Sequence, residues 1–182
     1  LLDVQVDTDI LWSARSGRVV ENHGVLRKSG GTGTTTIGSG VTLKNHGVLE
    51  VLSGKFRVSG SYTQSQSTLR FGLRGAEDYG AITLSGGGFI SETISVILLD
   101  DYRPVVGTSF RVVDHGSREA QFAFDLGGEH AWHARQEDGE LTLSVLNARP
   151  DLPATPDLEA PEGSPIALNL QAADIDQGQE IS

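Results

Sequence analysis

Gly17-Arg-Val-Val-Glu-Asn-His-Gly-Val-Leu26 aligns without a gap on Gly40-Val-Thr-Leu-Lys-Asn-His-Gly-Val-Leu49, an offset of 23 residues, with six of the ten positions identical. Val20 and Leu43 exchange within the pair at similar size and polarity. Ser29-Gly30 and Ser53-Gly54 extend the match with one inserted residue. A period of about 20–30 residues is the range in which one supersecondary unit stacks on the next. Within such a unit, Asn22 and Asn45 are expected to stack at one corner, each amide bonding its neighbour in the next coil. Gly24 and Gly47 are expected to supply the adjoining tight bend.

The periodicity around this repeat decides the element type. Phe56 and Val58 alternate with Lys55 and Arg57; Leu69, Phe71 and Leu73 alternate with Arg70, Gly72 and Arg74. Alternation with period two marks a half-buried strand. Ile82-Leu84, Ile94-Val96-Leu98, Phe110-Val112, Phe122-Phe124-Leu126 and Leu141-Leu143-Val145 continue it. No window sustains the i, i+3, i+4 stripe of an amphipathic helix. The fold class is all-β, and a 23-residue coil with short strands favours a parallel β-helix over a sandwich of paired sheets. Beyond residue 65 the repeat fades while strands go on, so the later coils are expected to diverge into a closing cap.

Composition limits the function classes. Among 182 residues there is no cysteine, which excludes disulfide frameworks, thiol catalysis and thiolate metal sites. No apolar run reaches the roughly 18 residues of a membrane span. The 23 glycines are too many for a helical protein. The formal charge of −10 disfavours a nucleic-acid partner, whose phosphates require clustered Lys and Arg. That charge is uneven. Asp151, Asp157, Glu159, Glu162, Asp174, Asp176 and Glu180 put −7 on a tail without Lys or Arg, leaving −3 on the first 150 residues. Pro150, Pro153, Pro156, Pro161 and Pro165 cluster at the same junction, the composition of an extended spacer. The expected organisation is a solenoid over 1–147, a linker over 148–161 and the start of a new unit over 162–182. The chain has no methionine and opens Leu1-Leu2-Asp3-Val4, which suggests an internal stretch of a longer protein.

Two resemblances follow from longer stretches. Asn45-His-Gly-Val-Leu-Glu-Val-Leu-Ser-Gly-Lys-Phe-Arg-Val-Ser-Gly60, Thr68-Leu-Arg-Phe-Gly-Leu-Arg-Gly75 and Tyr102-Arg-Pro-Val-Val-Gly-Thr-Ser-Phe-Arg-Val-Val113 resemble β-solenoid passenger domains of bacterial autotransporter- and adhesin-type surface proteins. That resemblance spans about residues 15–146. It implies a right-handed parallel β-helix, export to the cell surface or beyond, and no enzymatic activity. Glu162-Gly-Ser-Pro-Ile-Ala-Leu-Asn-Leu-Gln-Ala-Ala-Asp-Ile-Asp-Gln-Gly178 is similar to the opening of a cadherin-like or related Ig-like repeat. The likeness implies that Glu162, Asp174 and Asp176 would contribute to a Ca²⁺ site. Ca²⁺ takes six to eight oxygen ligands, so three carboxylates leave that site incomplete.

The remaining constellations carry less. His23 and His46 recur one coil apart, about 5 Å along a stack, but no third metal ligand repeats with them. On a strand His130 and His133 would face opposite sides, which defeats a site shared with Glu129 unless the segment is a loop. Thr32, Thr34, Thr35 and Thr36 suggest a threonine-rich turn or strand, with a polar turn preferred to an ice-binding face, since the next copy offers Phe56-Arg57-Val58 and no threonine column can form. Gly30-Gly-Thr-Gly-Thr-Thr-Thr-Ile-Gly38 lacks the Gly-Lys-Ser/Thr ending of a phosphate loop. Carboxylate catalysis needs acids converging in one groove. Asp100 and Asp101 diverge, Glu77 and Asp78 lie in a turn, and Asp3, Asp7 and Asp9 form a solvent face opposite Val4, Val6 and Ile10. No catalytic residue is assigned.

These readings lead to a non-catalytic structural or adhesive stalk module of a secreted or surface-anchored bacterial protein. It needs no cofactor in its solenoid, and Ca²⁺ is expected only in the intact C-terminal repeat. Arg57, Arg70 and Arg74 are the expected contacts for a host-surface or matrix glycan or protein. The competing expectations are a polysaccharide-degrading β-helix and a Ca²⁺-rigidified adhesion array.

Overall fold

The structure is a computed structural model that describes residues 1–11, 17–86, 89–116, 119–127 and 130–146. The linker at 148–161 and the segment bearing Glu162, Asp174 and Asp176 lie outside the described residues, as does Glu129. Every regular element among the described residues is a strand. The first coil holds β1 (Leu2–Val4), β2 (Asp9–Ile10) and β3 (Arg18–Asn22). The second holds β4 (Val25–Lys28), β5 (Thr34–Ile37) and β6 (Val41–Asn45), and the third β7 (Val48–Val51), β8 (Lys55–Val58) and β9 (Tyr62–Gln64). A fourth begins with β10 (Thr68–Leu73) and β11 (Ala81–Leu84). The chain then continues through β12 (Ile90–Leu98), β13 (Ser109–Asp114), β14 (Ala120–Asp125), β15 (Ala131–Glu137) and β16 (Glu140–Leu146).

Successive coils lay their strands on three sheets. The first runs β1-β4-β7-β10-β12-β14, the second β2-β5-β8-β11-β13-β16-β15, and the third β3-β6-β9. Pairing is parallel throughout the coils, which makes this a β-solenoid of about four turns. The sequence repeat is the structural register: Arg18 to Asn22 pair one for one with Val41 to Asn45, and Val25 with Val48. Among the described residues the third sheet ends at β9.

Closure is antiparallel. β16 runs against β13, and β15 folds back on β16 through Asp138-Gly139. Both turn residues take left-handed φ, 50° and 80°, as a two-residue type I′ hairpin requires. The diverged cap expected from the sequence is this hairpin, which seals the second sheet with Leu141, Leu143 and Val145 almost wholly buried.

The core is a set of columns. Leu2, Leu26, Leu49, Leu69, Ile94 and Phe124 share one register in the first sheet. The four interior members are at most 2% exposed, whereas Leu2 is 55% and Phe124 is 46% exposed at the two ends. The alternation of β14 therefore does not bury Phe124, because β14 is the edge of its sheet among the described residues. Val6, expected to face inward, is also exposed. Of the turn or strand expected there, Thr34 to Ile37 form the strand, with Thr35 fully buried and its hydroxyl donating to the Val6 carbonyl at 3.3 Å. In register the Thr positions meet Lys55, Phe56 and Arg57, so no threonine column exists.

Gly24 and Gly47 lie in the bends expected of them, and Gly47 also serves close approach. A Cβ there would sit 2.2 Å from the Gly24 carbonyl oxygen. That carbonyl receives the Val48 amide at 2.8 Å, and a side chain would force the two coils apart.

Candidate functional site

The stacked corner is built from buried polar groups. Asn22 Nδ2 donates to Asn45 Oδ1 at 2.7 Å and to the Val48 carbonyl at 2.9 Å, while its own Oδ1 accepts from the Gly24 amide at 3.2 Å. The expected asparagine stack is present. It continues in unrelated residues: Asn45 Nδ2 donates to the Tyr62 hydroxyl at 3.3 Å, and that hydroxyl donates to Glu92 Oε1. Ser67 Oγ donates to Glu92 Oε2 at 2.6 Å. Each of these side chains is 9% exposed or less. A buried polar group without a partner costs about 1–3 kcal/mol, so the chain of bonds fixes the coil register. Asn45→Ala, which removes one of the two acceptors of the Asn22 amide and the donor to the Tyr62 hydroxyl, is expected to lower stability by about 1–2 kcal/mol in urea unfolding. An unchanged midpoint would mean that the ladder does not hold the corner.

Glu92 ends this column beside a cavity of about 350 Å³ lined also by Gln66, Ser67, Ser91, Thr93 and Gln121. Burial pushes its carboxyl above the usual range, against the lowering effect of the bonds from Ser67, Tyr62 and Asn45. Among the described residues no second acid or imidazole lines that cavity.

The second concentration of chemistry is a groove of about 480 Å³ on the outer face of the second sheet. It exists because the turn from first to second sheet, short at Leu52-Ser53-Gly54, grows in the next coil into the loop Arg74–Gly80. Arg74 and Gly75 amides bond the Asp78 carbonyl at 2.9 Å and pin that loop. Glu77, Asp78 and Tyr79 come from the loop, Lys55 from β8, Thr83 from β11, and Arg111 and Asp114 from β13. Arg111 is held by Glu140 at 2.7 Å. Glu77 and Asp78, expected as turn acids, line this groove together with Asp114. Only the β8–β11–β13 stacking order brings them together.

Charges outside the groove are largely spent on holding coils. Asp3, Arg27, Glu50, Arg70, Ser95 and Asp125 form one register column on the first sheet. Glu50, 3% exposed, is clamped between Arg27 and Arg70. Arg74 bonds Asp100 at 2.5 Å and also faces Asp78. Of the three arginines expected to be contacts, Arg70 and Arg74 are thus engaged within the fold, and Arg57 is exposed on β8. Asp7 is exposed, as expected of a solvent face, and is also bonded across the coil. It reaches across to the wholly buried Lys28, at 2.9 Å, and accepts the Gly33 amide at 3.0 Å. On the third sheet, Lys44 bonds Glu21 at 2.8 Å and holds its carboxyl below the ordinary range.

His23 and His46 stack with centroids 4.9 Å apart and rings 15° from parallel, close to the expected spacing. No group of three His, Asp or Glu positioned for a metal occurs among the described residues. His133 is exposed on β15, while His130 precedes that strand and meets the Trp132 ring edge-on. No helix among the described residues is long and apolar enough to cross a membrane. Compared with protein families, curated proteins and solved structures, the chain matches none.

Proposed function

We propose that this chain is a non-catalytic structural and adhesive module of a large secreted or surface-anchored bacterial protein. The observation that carries the reading is the conversion of side chains into inter-coil bonds: the Asn22–Asn45 amides, the Arg27–Glu50–Arg70 clamp and the Lys44–Glu21 pair all join one coil to the next. Such bonds stiffen a rod whose length grows by about 4.8 Å per coil. The groove beside Arg74–Gly80 is the part of the surface suited to a partner. Its mixture of Lys55, Glu77, Asp114 and the Tyr79 ring fits the hydroxyl-rich surface of a glycan or a polar protein segment.

That groove also favours the second reading, a polysaccharide-degrading β-helix, because it gathers acids and bases at one place. Incubation with acidic and neutral glycans separates the two. Retention of intact glycan, weakened by Lys55→Ala, is the expected result. Release of reducing or unsaturated ends would replace the adhesive reading with the enzymatic one. A Ca²⁺-rigidified array would rest on Glu162, Asp174 and Asp176 within the intact repeat. It predicts a higher Tm for the complete repeat in millimolar Ca²⁺, and no shift would dispose of it.

A further inference from the structure

The groove beside Arg74–Gly80 is sided in charge. Most basic side chains among the described residues are tied to an acid, as Arg70 is to Glu50 and Arg74 to Asp100. Lys55 and Arg57 have no such partner among those residues. Both are exposed on the outer face of β8, because Phe56 and Val58 are wholly buried on the other. Two residues of strand set them roughly 7 Å apart. In register, Lys55 meets Ala81, and Arg57 meets Thr83, which in turn meets Asp114. The short side chains of β11 are therefore the floor of a trough. Its β8 rim is basic, whereas Asp114 on β13 and the loop's Glu77 and Asp78 are acidic. Arg111 on the far rim is neutralised by Glu140. Two strand spacings put the rims roughly 10 Å apart.

Building on the adhesive reading of this groove, we infer that its ligand is an acidic glycan of sparse charge, in which a uronate alternates with an uncharged sugar. The uronate carboxylate lies on the β8 rim, where the Arg57 guanidinium can donate two parallel N–H bonds and the Lys55 ammonium adds a point charge. Ring hydroxyls donate across the trough to Asp114 and Glu77. Asp114 spends Oδ1 on the Gly116 amide at 3.2 Å and keeps Oδ2 for the ligand. The half-buried Tyr79, braced edge-on by Phe110, adds an apolar ring to the lining.

Other ligand classes meet this arrangement less well. A neutral glycan engages the acids but leaves the basic rim unused. A densely sulfated chain satisfies Lys55 and Arg57, yet its further anions fall against Glu77, Asp78 and Asp114, a like-charge contact. An extended peptide binds a sheet best by adding a strand to a free edge. Here β8, β11 and β13 each have a paired strand on both sides, so the floor offers side chains alone. A ligand that brings its own hydroxyls and an occasional carboxylate uses both rims.

Calorimetric titration of the chain at physiological salt, with oligosaccharides of hyaluronate and of unsulfated chondroitin, tests this. Both probes alternate a uronate with an uncharged N-acetylated sugar. At least one is expected to bind about tenfold or more tighter than its carboxyl-reduced form. Arg57→Gln should abolish that preference and leave affinity for the reduced form unchanged. Its Tm should match the parent's, because Arg57 is exposed. Asp114→Asn should weaken both forms alike. Equal binding of the two forms, or tighter binding of heparin, would overturn the inference and leave the glycan-adhesive reading standing. Tighter binding of a polyglutamate peptide would overturn it in favour of a protein partner. Binding of none of these probes would remove the inference and the groove's adhesive role together.

Discussion

Lys28→Ala is expected to lower stability by about 3–5 kcal/mol, the range for emptying a large, wholly buried site. Lys28 stands in the core column between Val4 and Val51 and is 0% exposed. An ammonium in that position survives because all three of its protons have acceptors. Asp7 Oδ1 lies at 2.9 Å, the Gly30 carbonyl at 2.5 Å and the Gly31 carbonyl at 3.1 Å. Truncation removes the packed stem and strands the Gly30 carbonyl, whereas Gly31 keeps a bond from Ser53 Oγ at 3.0 Å. Lys28→Met separates the two losses. It keeps most of the stem, removes the ammonium, and should cost about 1–3 kcal/mol in urea unfolding. A Met variant as stable as the parent would show that the cradle contributes nothing. The acid limb gives a second readout. The hydrogen bond from Lys28, more than the Gly33 amide, holds the Asp7 carboxyl below its ordinary 3.8. A depressed carboxyl contributes stability above its unfolded value, and that contribution is lost as pH falls through the folded one. Lys28→Met should therefore flatten the loss of stability below about pH 4.

The same lysine shows where reading the sequence stops. The register of the first three coils was legible, because Asn-His-Gly-Val-Leu recurs at 23 residues and the stacked pairs follow that spacing. Strand positions as far as Val145 were legible from alternation. Lys28 was not, since a strand pattern assigns a lysine to solvent, and only the three-dimensional meeting with Asp7 and two loop carbonyls makes burial tolerable. Phe124 failed in the opposite sense. Alternation names a face, but burial depends on a neighbour in the stack. The antiparallel hairpin had a usable local signal in Asp138-Gly139 between alternating runs. The groove had none: Glu77, Asp114 and Lys55 lie far apart in sequence and converge only through the order β8-β11-β13.

Glu92→Ala is expected to cost about 2–4 kcal/mol, because it opens a cavity and strips the Tyr62 and Ser67 hydroxyls of their acceptor. The more informative variant is Glu92→Gln. The amide keeps one oxygen to accept a hydroxyl proton and supplies an N–H that the other hydroxyl oxygen can accept, without a charge to bury. The groups facing Glu92 are Asn45 of β6, Tyr62 of β9, Ser67 ahead of β10 and Phe122 of β14, none of them a cation. Desolvation consequently dominates, and the folded carboxyl titrates above its ordinary 4.5. A raised carboxyl contributes its full stability below the unfolded value, and the contribution fades as pH rises through the folded one. Asp7 and Glu21, both lowered, work in the opposite direction on acidification. The whole-protein profile therefore mixes the two effects, and the difference between parent and Glu92→Gln isolates this site. That difference should favour Gln at neutral pH and shrink or reverse below about pH 4.5. A difference independent of pH from 4 to 8 would mean that Glu92 titrates as an exposed carboxylate does. The corner column would then have to admit water at its Glu92 end, where Gln66, Ser91 and Gln121 line the adjoining cavity.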